Sequence, residues 1–305
     1  VTPASFSVSV PFPSGRPLRE KVRSALQFLQ AWPVTIDCPL LSQPGRWLST
    51  PPYLCGSDEE RSQELATMLK DPAQSVLWCG RGGYGATRLL GQLSQAASGH
   101  AWPLTRLLGY SDITALFALV RVQELNVHCV HAPVLTEIPD HPLPEAVIQA
   151  LQGTPCPLPV EHPGPGMATF EGPIWGGNLA VLASLCGTPW LPNIRQGAIF
   201  LEDIEEAPYR LDRFITQLAD SGFFATVDRV ILGRFTRCGD DKAGLHTARA
   251  RLEELGVEVL GEVPVGHEAF HLPLFLDRPY RFESSRNCLL PASPASSPPA
   301  DSQEG

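Results

Sequence analysis

The chain has no cationic surplus. Its 23 Lys and Arg stand against 32 Asp and Glu, a formal net charge of -9. That balance argues against a nucleic-acid partner, because neutralising phosphates takes clustered cations. It leaves room for a small anionic substrate held by one or two local cations. No apolar run reaches bilayer length, so no membrane-spanning segment is expected. Val1 to Pro13 has neither the basic start nor the uninterrupted apolar stretch of a signal peptide. The eight cysteines form no C-x-x-C pair, no zinc spacing appears, and a disulfide framework is not expected in a chain this long. Several lie in apolar runs, where Cys behaves as a small buried hydrophobe. These absences together favour a reducing compartment.

What is present suits a soluble protein with a real core: 305 residues, 43% hydrophobic and 18% charged, enough for two domains. The 31 prolines and 26 glycines gather in joints and in the tail. Residues 1–152 read as an α/β domain and 153–168 as a stiff Pro-rich linker. Residues 169–290 read as a second, carboxyl-terminal domain, and 291–305 as a disordered Pro/Ala/Ser tail. Val1 to Ser5 reads as the end of a strand that is otherwise mostly missing.

Within the first domain, Leu18, Val22, Leu26 and Leu29 fall at helical spacing, and Val34 to Ile36 is a candidate strand. Ser57 and Glu60 form a capping-box pair before Leu65, Met68 and Leu69. Ser75 to Cys79 is a short apolar run of the kind buried on both faces of a parallel sheet. It leads into the glycine-rich Gly80–Gly85 turn and a helix over roughly 86–93. Arg106 to Leu108 is a further strand, followed by a turn at Ser111, a helix to Leu125 and a strand over 126–130. Such alternation predicts a parallel sheet with covering helices, whose sites lie at the carboxyl ends of strands. The Arg81 turn and Ser111 should then share one rim. Beyond the linker, strands are expected at 197–201, 227–232 and 257–260, helices at 209–218 and 247–255, and a hairpin over 280–290.

Four stretches could carry chemistry. Ser111 and Asp112 stand where a strand gives way to a helix, so either could simply cap it. The same position suits a nucleophile, with the following amides turned toward its hydroxyl. The Gly80–Gly85 turn matches neither the Walker pattern nor G-x-G-x-x-G; its glycines either serve a tight turn or bring bare N–H groups and Arg81 to a ligand. Of the carboxylates Glu202, Asp203, Glu205 and Glu206, Glu202 closes a hydrophobic strand and is the one expected to point inward. Arg210 and Arg213 follow at i, i+3, able to neutralise that cluster or to hold a substrate carboxylate. Finally, His267-Glu268-Ala269-Phe270-His271 formally matches H-E-x-x-H, but Pro264, Gly266 and Pro273 leave no room for the helix that zinc hydrolases need. His267 alone reads better as a proton carrier, and structural roles are expected for His128 and His131. Ser111, Glu202 and His267 would supply a nucleophile, an orienting carboxylate and a base in the order Ser, acid, His.

Seven ordered stretches resemble the LD-carboxypeptidase family, the murein tetrapeptide carboxypeptidase group of serine peptidases. They are Gly56–Arg61, Arg81–Gly85, Gly109–Thr114, Gly176–Leu179, Leu201–Ile204, Pro208–Arg213 and Gly266-His267. The resemblance implies a parallel-sheet α/β amino-terminal domain joined to a smaller β-rich domain, with the active site between them. It implies Ser111 as nucleophile, His267 as general base and acid, and Glu202 as orienting carboxylate. An oxyanion hole maps onto the amides of Asp112 and the Gly82–Gly83 turn. Arg81, Tyr84, Asn178, Arg210 and Arg213 are the substrate-binding candidates. The implied enzyme is a cytoplasmic homodimer without cofactor or metal that removes the terminal D-Ala from L-Ala–D-Glu–meso-diaminopimelate–D-Ala in cell-wall recycling. Two departures are visible: the family's first strand is largely missing before Val1, and Phe275-Leu276-Asp277 stands where the family commonly has glycine. Two other functions fit the same residues. One is a microcin-immunity peptidase acting on a peptidyl-nucleotide antibiotic; the other is a two-domain module binding a small ligand without chemistry.

Overall fold

The structure, a computed structural model, describes residues 6–99, 101–276 and 278–292. Val1 to Ser5, Asp277 and most of the expected tail lie outside the described residues. The first domain alternates strands β1 (Phe6–Ser9), β2 (Val34–Asp37), β3 (Val76–Trp78), β4 (Thr105–Gly109) and β5 (Val127–His131) with five helices. These are α1 (Arg19–Leu29), α2 (Asp58–Lys70), α3 (Leu90–Ala97), α4 (Thr114–Val122) and α5 (Pro144–Leu151). All five strands pair in parallel, in the order β5-β4-β3-β1-β2. Helices on a parallel sheet bury both its faces, and Val76, Leu77 and Trp78 of β3 are accordingly buried. α1 turns Val22, Ala25 and Leu29 to the core. At the start of α2 the expected capping box forms: Glu60 N–H donates to Ser57 Oγ at 3.1 Å, and Ser57 N–H donates to Glu60 Oε2 at 2.7 Å.

Two expectations need correcting. The first strand is not missing: β1 runs over Phe6–Ser9 and pairs with both β2 and β3. Ser7, with its polar side chain, and the prolines at 11 and 13 obscure the apolar run that would mark it. The second concerns 153–168, expected as a stiff, extended linker, which is in part tied into the second sheet. Its strand β6 (Leu158–Pro159) pairs with the last strand of the second sheet, and Glu161 bridges to Glu262.

The second sheet has four parallel strands, β7 (Glu171–Asn178), β8 (Ala198–Ile204), β9 (Arg229–Thr236) and β10 (Glu258–Glu262). Helices α6 (Leu179–Ser184), α7 (Pro208–Asp220) and α8 (Ala243–Glu254) connect them. The chain then leaves this sheet. β11 (Leu274–Phe275) pairs antiparallel with β5 of the first sheet, Leu274 opposite His131. It returns as the expected hairpin, β12 (Pro279–Glu283) and β13 (Cys288–Pro291), on the far edge beside β7 and β6. The excursion to β11 carries residues 264–273 across to the carboxyl rim of the first sheet, and it decides what the active site contains. All eight cysteines are free, and among the described residues no helix is long and apolar enough to cross a membrane.

Candidate active site

The rim expected from topology is present. β3 ends in the Gly80–Gly85 turn, β4 in the turn at Ser111, and β5 in His131, with Gly109 paired opposite His131. Ser111 opens a short 3-10 turn, Ser111–Ile113, that leads into α4. Its φ is 61°, a left-handed conformation that residues with a Cβ rarely hold. The turn is tight because Gly109 lets it close; a Cβ there would stand 3.0 Å from Ile113 Cγ1 and 3.1 Å from Cys79 Cβ. Buried Tyr110 and Ile113 clamp the serine from either side. A strained serine on a strand-to-helix turn is the arrangement of a nucleophile elbow, and the side chain serves no cap: Ser111 lies inside the turn.

The glycine-rich turn lies against this serine. A Cβ on Gly82 would come within 3.1 Å of Ser111 Cβ and 3.4 Å of its Oγ. Gly83 and Gly85 hold φ of 106° and 130°. The fully buried Arg61 fixes the loop's exit by donating to Gly85 O at 2.9 Å. Asp112 ties the two turns together, its buried Oδ2 accepting Ala86 N–H at 2.8 Å. Burial pushes the Asp112 carboxyl above its usual range despite that bond.

Glu202 reaches the same place from the second sheet. It sits near the carboxyl end of β8, fully buried, where the register against β9 slips between Leu201 and Asp203. His267 follows Gly266, whose φ of 138° turns the chain sharply. His267 Nδ1 donates to Glu202 Oε2 at 2.7 Å, and its ring lies 4.5 Å from that of Tyr110, the neighbour of Ser111. Burial would raise the Glu202 carboxyl, but the charge of His267, the nearby His131 and the hydrogen bond from His267 outweigh it and hold the group well below the carboxylate range. Burial would lower His267, but the charge and hydrogen bond of Glu202 outweigh that and raise it above 6.5. The segment 264–270 forms bends, not a helix, so His267 and His271 do not share a helix face.

The remaining candidates scatter. Arg81 is exposed and donates to Arg16 O, while Tyr84 is exposed and packs near Tyr53. Asn178 is buried: its Oδ1 caps α6 at Val181 N–H, and its Nδ2 donates to Asp203 Oδ1 at 2.9 Å. Asp203, with three donors and a carboxyl pushed up to about 7 by burial and by the charge of Glu202, secures the same corner. Arg210 pairs with Glu206 at 2.9 Å and lies over Phe214; Arg213 lies over Tyr209. Sequence reasoning missed Glu137, which accepts a bond from Tyr110 Oη at 2.7 Å. It also assigned no site role to His131, which is fully buried beside Glu202. The strand-end rule that found Ser111 applies equally to His131 at the end of β5.

Two hollows flank the serine turn. One, of about 320 Å³, is lined by Tyr110, Glu137, His141, His267 and His271. The other, of about 520 Å³, runs between Gly83, Tyr84 and Asp112 of the first domain and Val181, Leu185 and Trp190 of the second. A larger cleft of about 620 Å³ lies away from both, between α2 and the turn around Arg46.

Comparison with known proteins agrees with the two-domain division of the site. Residues 7–132 match the LD-carboxypeptidase N-terminal domain and residues 171–282 the LD-carboxypeptidase C-terminal domain. A putative carboxypeptidase of Synechocystis sp. is 36% identical, over 70% of this chain and 72% of its own length. The murein tetrapeptide carboxypeptidase of Pseudomonas aeruginosa is 33% identical, over 72% and 73%. Among solved structures, muramoyltetrapeptide carboxypeptidase from Oxalobacter formigenes superposes with a TM-score of 0.72 at 23% identity, covering 93% of this chain and 97% of that one. The microcin C7 self-immunity protein without ligand gives 0.76 at 20% identity, covering 96% and 99%. At these identities the two structures speak for the fold.

Proposed function

The chain belongs to the LD-carboxypeptidase family, and on that premise we propose that it is a serine carboxypeptidase that removes the terminal D-Ala from murein tetrapeptides. The observation that carries this reading is the strained Ser111, on the first sheet, backed by a buried Glu202–His267 pair delivered from the second. His267 Nε2 takes the Ser111 proton as Oγ attacks the carbonyl carbon of the last peptide bond. The amides of Asp112 and the Gly82–Gly83 turn hold the oxyanion. As that intermediate collapses, His267 returns the proton to the departing amine of D-Ala, leaving an ester on Ser111. His267 then draws a proton from water, which attacks the ester, and returns that proton to Ser111 Oγ as the acyl–oxygen bond breaks and the shortened peptide leaves with a free carboxylate. Glu202 keeps the imidazole in the Nδ1–H form and balances its charge when Nε2 is protonated.

The hollows on either side of Ser111 offer room for peptide both before and after the scissile bond. Tyr84, which lines the second hollow, and Arg81, the neighbour of Gly82, are the best placed of the expected substrate contacts. A cytoplasmic homodimer remains part of the proposal. Side-by-side incubation with a murein tetrapeptide and an aminoacyl-sulfamoyl adenylate tests the substrate. Release of D-Ala is expected, whereas turnover of the adenylate alone would assign the chain to microcin-type chemistry. No turnover of either, together with no fluorophosphonate adduct on Ser111, would favour a binding module.

A further inference from the structure

Glu202 has two carboxylate oxygens, and only one of them has a hydrogen-bond partner among the described residues. Oε2 accepts from His267. Oε1 faces His131 Nε2 at 3.6 Å, and among the described residues neither atom has another hydrogen-bond partner. Both side chains are fully buried, and leaving two buried polar atoms unpaired when they face each other is unfavourable. A shift of a few tenths of an ångström closes the contact.

The protons of the neighbouring histidines can be placed by elimination. His141 Nε2 lies 2.9 Å from the carbonyl oxygen of His271, which only accepts, so His141 carries its proton on Nε2. Its Nδ1 then accepts Leu143 N–H at 3.1 Å. His271 Nε2 and His131 Nδ1 stand 3.2 Å apart and share one proton between them. If His131 held that proton and stayed neutral, its Nε2 lone pair would face the Glu202 carboxylate, acceptor against acceptor. The reverse order gives each of the two contacts one donor and one acceptor: His271 Nε2–H donates to His131 Nδ1, and His131 Nε2–H points at Glu202 Oε1.

We propose that His131 is a positioning residue of the active site, donating Nε2–H to Glu202 Oε1 in a tautomer fixed by His271, so that Glu202 is anchored between two imidazoles. One donor leaves a carboxylate free to rotate about its last bond; two hold its plane, and with it the ring of His267. Burial keeps both His131 and His271 below the usual histidine range and thus neutral, as this order requires. The groups packed around His131 are Glu202 and Phe200 of β8, His267 and His271 of the crossing segment, and Tyr110 with Glu137 beyond it. None of these offers Glu202 Oε1 a competing donor.

This inference rests on Glu202 and His267 acting as proposed, but its first test needs no substrate. Nitrogen-15 NMR of the histidine rings in the wild-type protein should show His131 neutral and protonated on Nε2 throughout the range where free histidine titrates. An Nδ1–H tautomer or an imidazolium at His131 overturns the proposal whatever the protein hydrolyses. The second test is kinetic. Gln can donate from Nε2 and accept at Oε1, so His131→Gln should keep kcat within a few-fold and leave the acid limb of kcat/KM in place. His131→Phe keeps the bulk without the donor and should lower kcat about 10- to 100-fold at unchanged KM. Its acid limb should move to higher pH, because Glu202 then draws more strongly on the His267 proton. A packing role alone predicts the opposite ranking, with Phe tolerated and Gln damaging. If His131→Phe does not fold, the tautomer and the His131→Gln profile still decide. Absence of turnover with the stated tautomer intact would count against the proposed substrate and not against His131.

Discussion

Replacing Ser111 with glycine is expected to remove activity while making the protein more stable than the alanine variant. Ser111 holds φ at 61°, where a residue bearing a Cβ is disfavoured by about 1–2 kcal/mol. Glycine escapes that cost but loses about 0.5–1 kcal/mol more chain entropy on folding. The balance favours S111G over S111A by about 0.5–1 kcal/mol, since both lack the hydroxyl and differ mainly in backbone freedom. Unfolding entropy near 2.1 cal/mol/K per residue, over 305 residues, turns this into a rise in Tm of about 1–2 °C. Scanning calorimetry of the two variants and the wild type reads it directly. A lower Tm for S111G than for S111A would refute the strained turn, and with it the argument that the serine is held in a costly conformation for use.

Other expectations follow from the same geometry. Glu202→Gln keeps the shape but removes the charge opposite His267, so kcat should fall roughly 10²- to 10⁴-fold and the acid limb of kcat/KM should move down; kcat within a few-fold of wild type would remove Glu202 from the mechanism. In the wild type the base must be neutral and His267 is raised, so the acid limb of kcat/KM should lie above 6.5, and an inflection below it contradicts the Glu202–His267 pairing. Fold stability has a separate dependence: burial lowers His131, His141 and His271, the unfolded chain binds more protons there, and their contribution is lost as pH falls below 6.5. Denaturant titrations showing stability flat through that range would count against their buried, neutral state. Gly82→Ala places a Cβ 3.1 Å from Ser111 Cβ and should cost about 10² in kcat with little change in Tm; unaltered kcat would mean that the loop is not held against the serine.

Much of this was legible in the chain because the parallel-sheet pattern carries its own rule for where a site lies. A three-residue apolar strand followed by glycines, and another followed by Tyr110-Ser111, placed two loops on one rim. Glu202 could be chosen from four carboxylates because it alone closes the apolar strand; the structure buries Asp203 as well, since a β-bulge at that point lets consecutive carboxylates turn inward. The capping role of Asn178 was also available in the sequence, since Asn before an apolar run is a helix start. The rest could not be read because it depends on distant pairing. Two residues, Leu274-Phe275, after Pro273 give no strand signal, yet their pairing with β5 brings His267 and His271 to His131. The 153–168 segment likewise looks like a linker until Leu158 finds Leu289.

The central claim is that Ser111 is acylated by a peptide ending in D-Ala. It is tested most directly by following a murein tetrapeptide by mass spectrometry with the wild type and with Ser111→Ala. Wild-type protein should release one alanine from the carboxyl terminus and Ser111→Ala, folded to the same Tm within error, should release none. Alanine release by Ser111→Ala at the wild-type rate would contradict the account.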